Sequence, residues 1–402
     1  MDERPQVSPA QTGLESARPE FVRMCQLLDV IGPDRRILHA GPPFSTPHEV
    51  PAPVMNSAVL GCLLEGWADD PRMAADAIRT GEIRLESAQD NDVLVPLAGV
   101  ATPSMAAHEI TDATRRGRSA FVVVNEGNEH ALRLGKFDPV LLDHWRWLSS
   151  ELAEWLDAAI QPEPLELLPL ADESLRRGDD CHSSTVAGSM LVVEHLARRR
   201  PPPERVRTFL AGASSFALNL WMGASYCALG AVVGSDAPDM VVAGGGNGLR
   251  FGIQVAARGG TWVTGEAEPP EGLPLPQGTT VLGAIGDSAV IDLFGLGAMS
   301  IRPGSNIPAA ALLDEQWHDR AARVLTVRHP ALNLSGQSCG LSVRRVVETG
   351  ILPRVVLGQI DARGKGGRVG GGVFVPQKVL FERVMWSLAQ MQGEEDDAET
   401  QD

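Results

Sequence analysis

The chain has 402 residues, 44% of them apolar, and a formal net charge of −16 at pH 7. That length supports large buried cores in two or three domains, and the acidic balance argues against nucleic-acid binding, which needs a basic surface. The five cysteines, Cys25, Cys62, Cys181, Cys227 and Cys339, form no C-x-x-C pair, so the sequence signals neither a zinc site nor a disulfide framework.

In chain order, residues 1–36 read as an N-terminal arm, loose over its first 20 residues, with a short helix over 21–30. The polar start lacks the apolar core of a signal peptide, and reduced thiols fit a cytoplasmic protein. Residues 37–162 read as an α+β domain. Ser57–Ala68 has helical character. A second helix follows, with Asp70 as N-cap, Pro71 in its first turn and Gly81 as its stop. Strands are expected near 82–85, 93–95 and 121–124. From Asp138-Pro139 a long helix is expected, because Leu141, Trp145, Leu148, Leu152, Trp155 and Ala159 form one apolar stripe.

Residues 163–236 read as mainly helical, broken at Pro201-Pro-Pro203. The stretch from Thr208 to Gly234 carries no charged side chain. Its Asn219, serines and glycines favour a buried helix over a membrane span. Residues 237–392 read as a second α+β domain. Strands are expected at 240–243, 250–256 and 261–264, helices at 289–296 and 309–324, strands again across 341–375, and a last amphipathic helix over 376–391. Residues 393–402 read as a disordered acidic tail. The class is α+β with several subdomains, mixed short sheets and a central buried helical region.

Polar and glycine-rich clusters punctuate this scaffold. Asp179-Asp180-Cys181-His182 precedes a helix, which makes His182 a candidate acid/base with Asp180 orienting it. The competing reading makes Asp180 or Ser183 a helix cap and Cys181 core filler. Gly244-Gly-Gly-Asn-Gly248 offers bare amides and Asn247, or is a plain hairpin turn. Asn219 must find a partner inside an apolar helix. Asp287 of Gly286-Asp-Ser288 is either a site carboxylate or a cap. Arg344 and Arg345 suit an anion clamp, or surface ion pairs. Gly364–Gly372 adds Lys365, Gly366, Arg368, Gly370 and Gly371, as an anion loop or a flexible turn; its spacing is not that of a Walker A loop.

The ordered series of these clusters resembles the DUF1116 family, whose members include the G subunit of oxamate carbamoyltransferase. It runs through Ile37-Leu-His-Ala-Gly-Pro-Pro43, Pro96-Leu-Ala-Gly99, Asn125-Glu-Gly127, Gly178–His182, Phe216–Leu220, Asn247–Gly252, Gly286–Ala289, Val343–Gly350 and the terminal glycine loop. The family commonly carries a Rossmann-like region ahead of the His-Ala-Gly-Pro-Pro stretch, whereas only 38 residues precede His39 here. Many members have histidines where this chain has Gln89-Asp-Asn-Asp92. The resemblance implies an α+β fold and chemistry on carbamoyl or amide groups, in which carbamoyl phosphate and oxamate interconvert with oxalurate and phosphate.

The resulting expectation is a soluble enzyme that transfers or cleaves a carbamoyl or amide group on a small carboxylate. His182, Asp180 and Asp287 are its catalytic candidates. Asn219, Asn247, Arg344, Arg345, Lys365, Gly366, Arg368, Gly370 and Gly371 are to bind the anionic substrate, with Cys181, Glu126 and His39 as further candidates. One alternative is a non-catalytic ligand-binding or scaffolding subunit. Another is a hydrolase or isomerase acting on a cyclic amide. No cofactor and no membrane association are expected; scattered carboxylates could bind Mg²⁺, although no ligand spacing signals it. The chain is expected to form a homo-oligomer or to join partner subunits.

Overall fold

The computed structural model describes residues 9–125, 130–233 and 237–399. Helices and short mixed sheets interleave through it, an α+β architecture as the sequence implies. A five-stranded sheet has the order Val93–Leu94, Ala120–Val123, Ala106–Asp112, Pro19–Gln26, Leu165–Glu166. It is antiparallel except for its first pair. Beside it, Arg84–Ser87, Arg36–His39 and Val100–Ala101 form a three-stranded sheet. Its first two strands are parallel and are joined by a crossover through helices Ala52–Leu64 and Pro71–Thr80.

In the C-terminal half, Val263–Glu266, Arg250–Val255, Val241–Asn247 and Ile285–Gly286 make an antiparallel four-stranded sheet. A hairpin of Val355–Ile360 with Arg368–Phe374 makes another, with Glu271–Gly272 on its edge. Two large apolar cores result. The first is centred on helix Phe216–Gly230, which is buried along nearly its whole length against the five-stranded sheet. The small residues read from the sequence make that fit: a Cβ on Gly223 would lie 2.1 Å from Ile110. No helix among the described residues is long and apolar enough to cross a membrane.

The short helix Ala289–Phe294 is the seam between the cores. Val290, Ile291 and Phe294 pack into the first core, Ala289 and Leu293 into the second. A helix apolar on every side is what a fully enclosed position requires, and Asp292 is its single ionisable residue.

Several elements follow the sequence closely. Asp70 caps its helix by accepting from the amides of Arg72 and Met73, and Gly81 ends it in the left-handed region at φ 77°. Removing the cap with Asp70→Ala is expected to cost about 1 kcal/mol in a urea melt. The stripe from Leu141 to Ala159 lies in the first core, on a helix with one wider turn at Leu148–Leu152.

Three stretches differ from expectation. The supposedly loose arm holds helix Pro9–Ser16 and strand Pro19–Gln26, which pairs on both edges. Its alternation was hidden by the bulge between Phe21 and Arg23. Helix Lys378–Glu399 extends into the acidic tail. Val343–Thr349 is a helix where strands were expected. Ser342 caps it through the Arg345 amide, the Asp239 carboxylate takes the Ser342 hydroxyl and the Arg344 amide, and Gly350 stops it.

Candidate active site

Two buried carboxylates belong to the seam helix and its approach. Asp287 precedes it. Its Oδ1 accepts from the Gly41 amide at 2.8 Å and from Gln89 Nε2 at 2.6 Å, and its Oδ2 accepts from the Val95 amide at 2.9 Å. Gln89 also bonds both backbone groups of Gly244. One carboxylate thus ties together the His39–Pro43 loop, the Gln89–Val95 turn and the glycine-rich strand. Burial pushes its carboxyl up to about 7, against the pull of the three donors. The close fit needs glycine: Gly41 has φ 75°, and a Cβ there would sit 2.3 Å from the Gly246 carbonyl carbon.

Asp292 holds the second centre. Its Oδ2 lies 2.6 Å from His182 Nδ1. Its Oδ1 accepts from the amides of Ala298 and Val356, at 2.7 and 3.2 Å. Both partners are almost fully enclosed, with side-chain exposures of 6% for His182 and 0% for Asp292. Burial raises the Asp292 carboxyl, while the imidazole and the two amides hold it down. An acceptor carboxylate at Nδ1 keeps that proton in place and leaves Nε2 as the ring atom able to exchange one.

Loop 178–185 delivers the imidazole. Asp180 accepts from the amides of His182 and Ser184, both at 2.8 Å, and from the Ser183 hydroxyl. Its own carbonyl accepts from the Gly297 amide at 2.7 Å. Asp179 takes the Ser174 and Ser184 hydroxyls and the Gly188 amide. Asp180 therefore shapes the loop, and Asp292 orients the ring.

The loop also leads to the start of helix Phe216–Gly230. The hydroxyls of Thr185 and Ser189 both donate to the Ser214 carbonyl. Asn219, one turn into that helix, lines a hollow with Asn125, Arg133, Ser215 and Leu218.

The sequence relatives bear on this arrangement. A family profile described as "Oxamate carbamoyltransferase subunit AllG" matches residues 83–288, about half of the chain. The chain belongs to the AllG family. The AllG protein of Escherichia coli K12 is 28% identical over 404 residues, covering 94% of this chain and 96% of that protein. The uncharacterized protein YahG of the same strain is 29% identical over 381 residues, covering 89% of this chain and 80% of that one. A crystal structure of a conserved protein of unknown function from Enterococcus faecalis V583 superposes with a TM-score of 0.86 at 28% identity. The match covers 95% of this chain and 96% of that chain.

Within this AllG-family fold the sequence candidates separate into groups. His182, Asp180 and Cys181 share one loop, which is tied to the start of the Asn219 helix. Asp287 and Asn247 meet in the neighbouring hub, where Asn247 donates to the Pro42 carbonyl and accepts from the amides of Leu249 and Arg250. His39 is buried there, with Nδ1 at 2.9 Å from the Ala40 carbonyl, and burial lowers its pKa to about 4. The glycine stretch forms a hairpin turn. The amides of Arg363, Lys365 and Gly366 all donate to Asp361, so an internal carboxylate takes the donors expected to hold a ligand. Arg368 donates to the Gly370 carbonyl, and Gly370 and Gly371 lie in the strand that follows. Arg344 and Arg345 are exposed, and among the described residues neither guanidinium has a hydrogen-bond or ion-pair partner. Glu126 lies outside the described residues.

Cys181 sits at φ 70° with its thiol fully buried against the Ala171 carbonyl, and burial drives the thiol pKa far up. Native protein is expected to leave Cys181 unlabelled by iodoacetamide at pH 8. Modification there before unfolding, read by peptide mass spectrometry, contradicts this. Among the described residues no group of three or more His, Cys, Asp or Glu side chains is placed to hold a metal ion.

Asp292, Gln89 and the Val95 amide were missed at the sequence level. Asp292 carried a readable signal, a lone carboxylate inside Ala289-Val-Ile-Asp-Leu-Phe294. A charge in an apolar helix demands a partner, the same logic that singled out Asn219.

Proposed function

We propose that this chain is a subunit carrying the acid–base centre for transfer or cleavage of a carbamoyl or amide group on a small carboxylate. The observation that carries the reading is the enclosed His182–Asp292 pair, with the carboxylate 2.6 Å from Nδ1, in a chain of the AllG family. In the transfer direction the amide nitrogen of the acceptor attacks the carbonyl carbon of carbamoyl phosphate. A C–N bond forms, the C–O bond to phosphate breaks, and phosphate leaves with the electron pair. His182 Nε2 takes the proton lost by the attacking nitrogen. Asn219 faces the substrate, Asp180 and Asp292 position the imidazole, and Asp287 and Asn247 hold the framework.

A specific observation favours activity that depends on partner subunits. Val186 and Met190, one turn apart on the helix that follows the His182 loop, are 51% and 65% exposed. A bare apolar face beside the site suits an interface, and the Escherichia coli relative is itself named a subunit. The test assays the purified chain with carbamoyl phosphate and oxamate, alone and with co-expressed partner subunits. Carbamoyl transfer that disappears in His182→Asn supports the reading. Transfer that persists in His182→Asn, with or without partners, overturns it.

A further inference from the structure

Asp361 takes the amides of the glycine turn, and that leaves the cationic side chains around the turn unused. Arg363, Lys365 and Arg368 belong to the turn and the strand that follows it. Lys136 joins them from a separate loop: a Cβ on Gly367 would lie 2.9 Å from its Cδ. The Asn56 amide clamps the two segments together by donating to the carbonyls of Gly135 and Gly364, each at 3.0 Å. Among the described residues none of these four cations has an ion pair. On a chain of net charge −16 they make a local positive excess.

Arg368 is held in place within this group. Its Nε donates to the Gly370 carbonyl at 3.0 Å, which leaves both terminal nitrogens without a protein acceptor among the described residues. The guanidinium rests on a floor of glycine. A Cβ on Gly358 would lie 3.3 Å from Nε, and one on Gly371 would lie 3.2 Å from Nη2. Leu97, in the left-handed region at φ 48°, packs against the same Gly358, and strained residues of this kind gather at binding sites. Arg368 is exposed, so a ligand reaches it from solvent; the packing around it lowers its pKa, and no carboxylate opposes that shift. The pairs Val356–Val373 and Gly358–Gly371 share one face of the hairpin. The Val356 amide is the one bonded to Asp292. Two residues of strand, about 7 Å, therefore separate the glycine floor from the position that holds the orienting partner of His182.

We propose that Arg368, with Lys136 and Lys365 adding charge beside it, forms a subsite on the glycine hairpin for the phosphoryl end of the carbamoyl donor. The assignment rests on the transfer reading above and deepens it, since that reading releases phosphate and has so far given it no place to bind. Phosphate is favoured over carboxylate on charge. A phosphoryl group carries about two negative charges at pH 7, so each nearby cation attracts it about twice as strongly as it attracts a single carboxylate. The free fork of Arg368 matches two of its oxygens, and the lysines act as point charges on the rest.

The experiment is titration calorimetry on the full chain at low ionic strength, with inorganic phosphate alone and oxamate alone as probes, and circular dichroism as the check on folding. Wild type is expected to bind phosphate. Arg368→Gln is expected to weaken that binding at least about tenfold, through loss of a charged hydrogen-bond pair, and Lys136→Gln about threefold. Arg72→Gln, at an exposed arginine of helix Pro71–Thr80, is expected to stay within about twofold of wild type. Lys136→Gln keeps the test open if Arg368→Gln does not fold. Phosphate binding that is absent in folded wild type, or unchanged in the folded hairpin variants, overturns the subsite. An equal loss in Arg72→Gln does so too, because it reduces the effect to net charge. Oxamate binding that falls as far as phosphate binding in Arg368→Gln overturns the phosphate assignment. The two readings fail separately. In the transfer assay with partner subunits, an unchanged KM for carbamoyl phosphate in Arg368→Gln sinks the subsite alone. Phosphate binding that follows the expected pattern without any turnover sinks the transfer reading alone.

Discussion

Asp292→Asn is expected to lower the rate of carbamoyl transfer by about 10²- to 10⁴-fold, the range a lost general base spans, while the protein stays folded. The asparagine keeps the shape of the carboxylate, and its oxygen still accepts from the Ala298 and Val356 amides. Its NH₂ group then faces His182 Nδ1, where Oδ2 now sits at 2.6 Å. A donor at that place drives the ring proton to Nε2, so the atom needed as a base is already protonated. Steady-state kinetics alongside a thermal melt give the check. A folded Asp292→Asn protein with wild-type turnover removes the pair from the mechanism. Asp292→Ala makes the useful contrast, because it strands two amide donors as well and is expected to lose stability along with activity.

Asp287→Ala is expected to destabilise the chain by about 3–5 kcal/mol, since it leaves two backbone amides and Gln89 Nε2 without their acceptor in a fully buried hub. The pH dependence has a definite sign. The folded-state value near 7 lies above the ordinary unfolded value of about 3.9. The folded protein therefore binds the extra proton between those limits. The contribution is fully present below about pH 4, fades as pH rises towards 7 and is gone above it. At most it spans about 4 kcal/mol. Urea melts at pH 5 and pH 8 test this: wild type should lose more stability across that interval than Asp287→Asn, which cannot ionise. Equal losses in the two proteins contradict the raised value.

Much of the framework was legible because it depends on local rules. Asp70, Pro71 and Gly81 mark a helix by capping chemistry alone, and the Leu141–Ala159 stripe by period. The buried character of Phe216–Gly230 followed from small residues and missing charge. The candidate site was legible only in part. Its loop, Gly178–His182, and Asn219 stood out, but the partner of His182 lies 110 residues along the chain, and no spacing rule reaches that far. The glycine stretch at 364–372 misled for a physical reason. A carboxylate a few residues upstream, Asp361, satisfies the same amides that a ligand anion would, and only coordinates reveal which acceptor takes them. Arg344 and Arg345 looked like a clamp from their adjacency, yet their helix turns both outward.

The seam helix joins these observations mechanically. Six residues of backbone bear the carboxylate that steers the imidazole, begin just after the one that cements three loops, and wedge their apolar flanks into both halves of the molecule. A displacement of either half must drag this rod along and pull the acceptor away from His182. A fault in packing far from the imidazole should therefore register first as a wrongly turned ring.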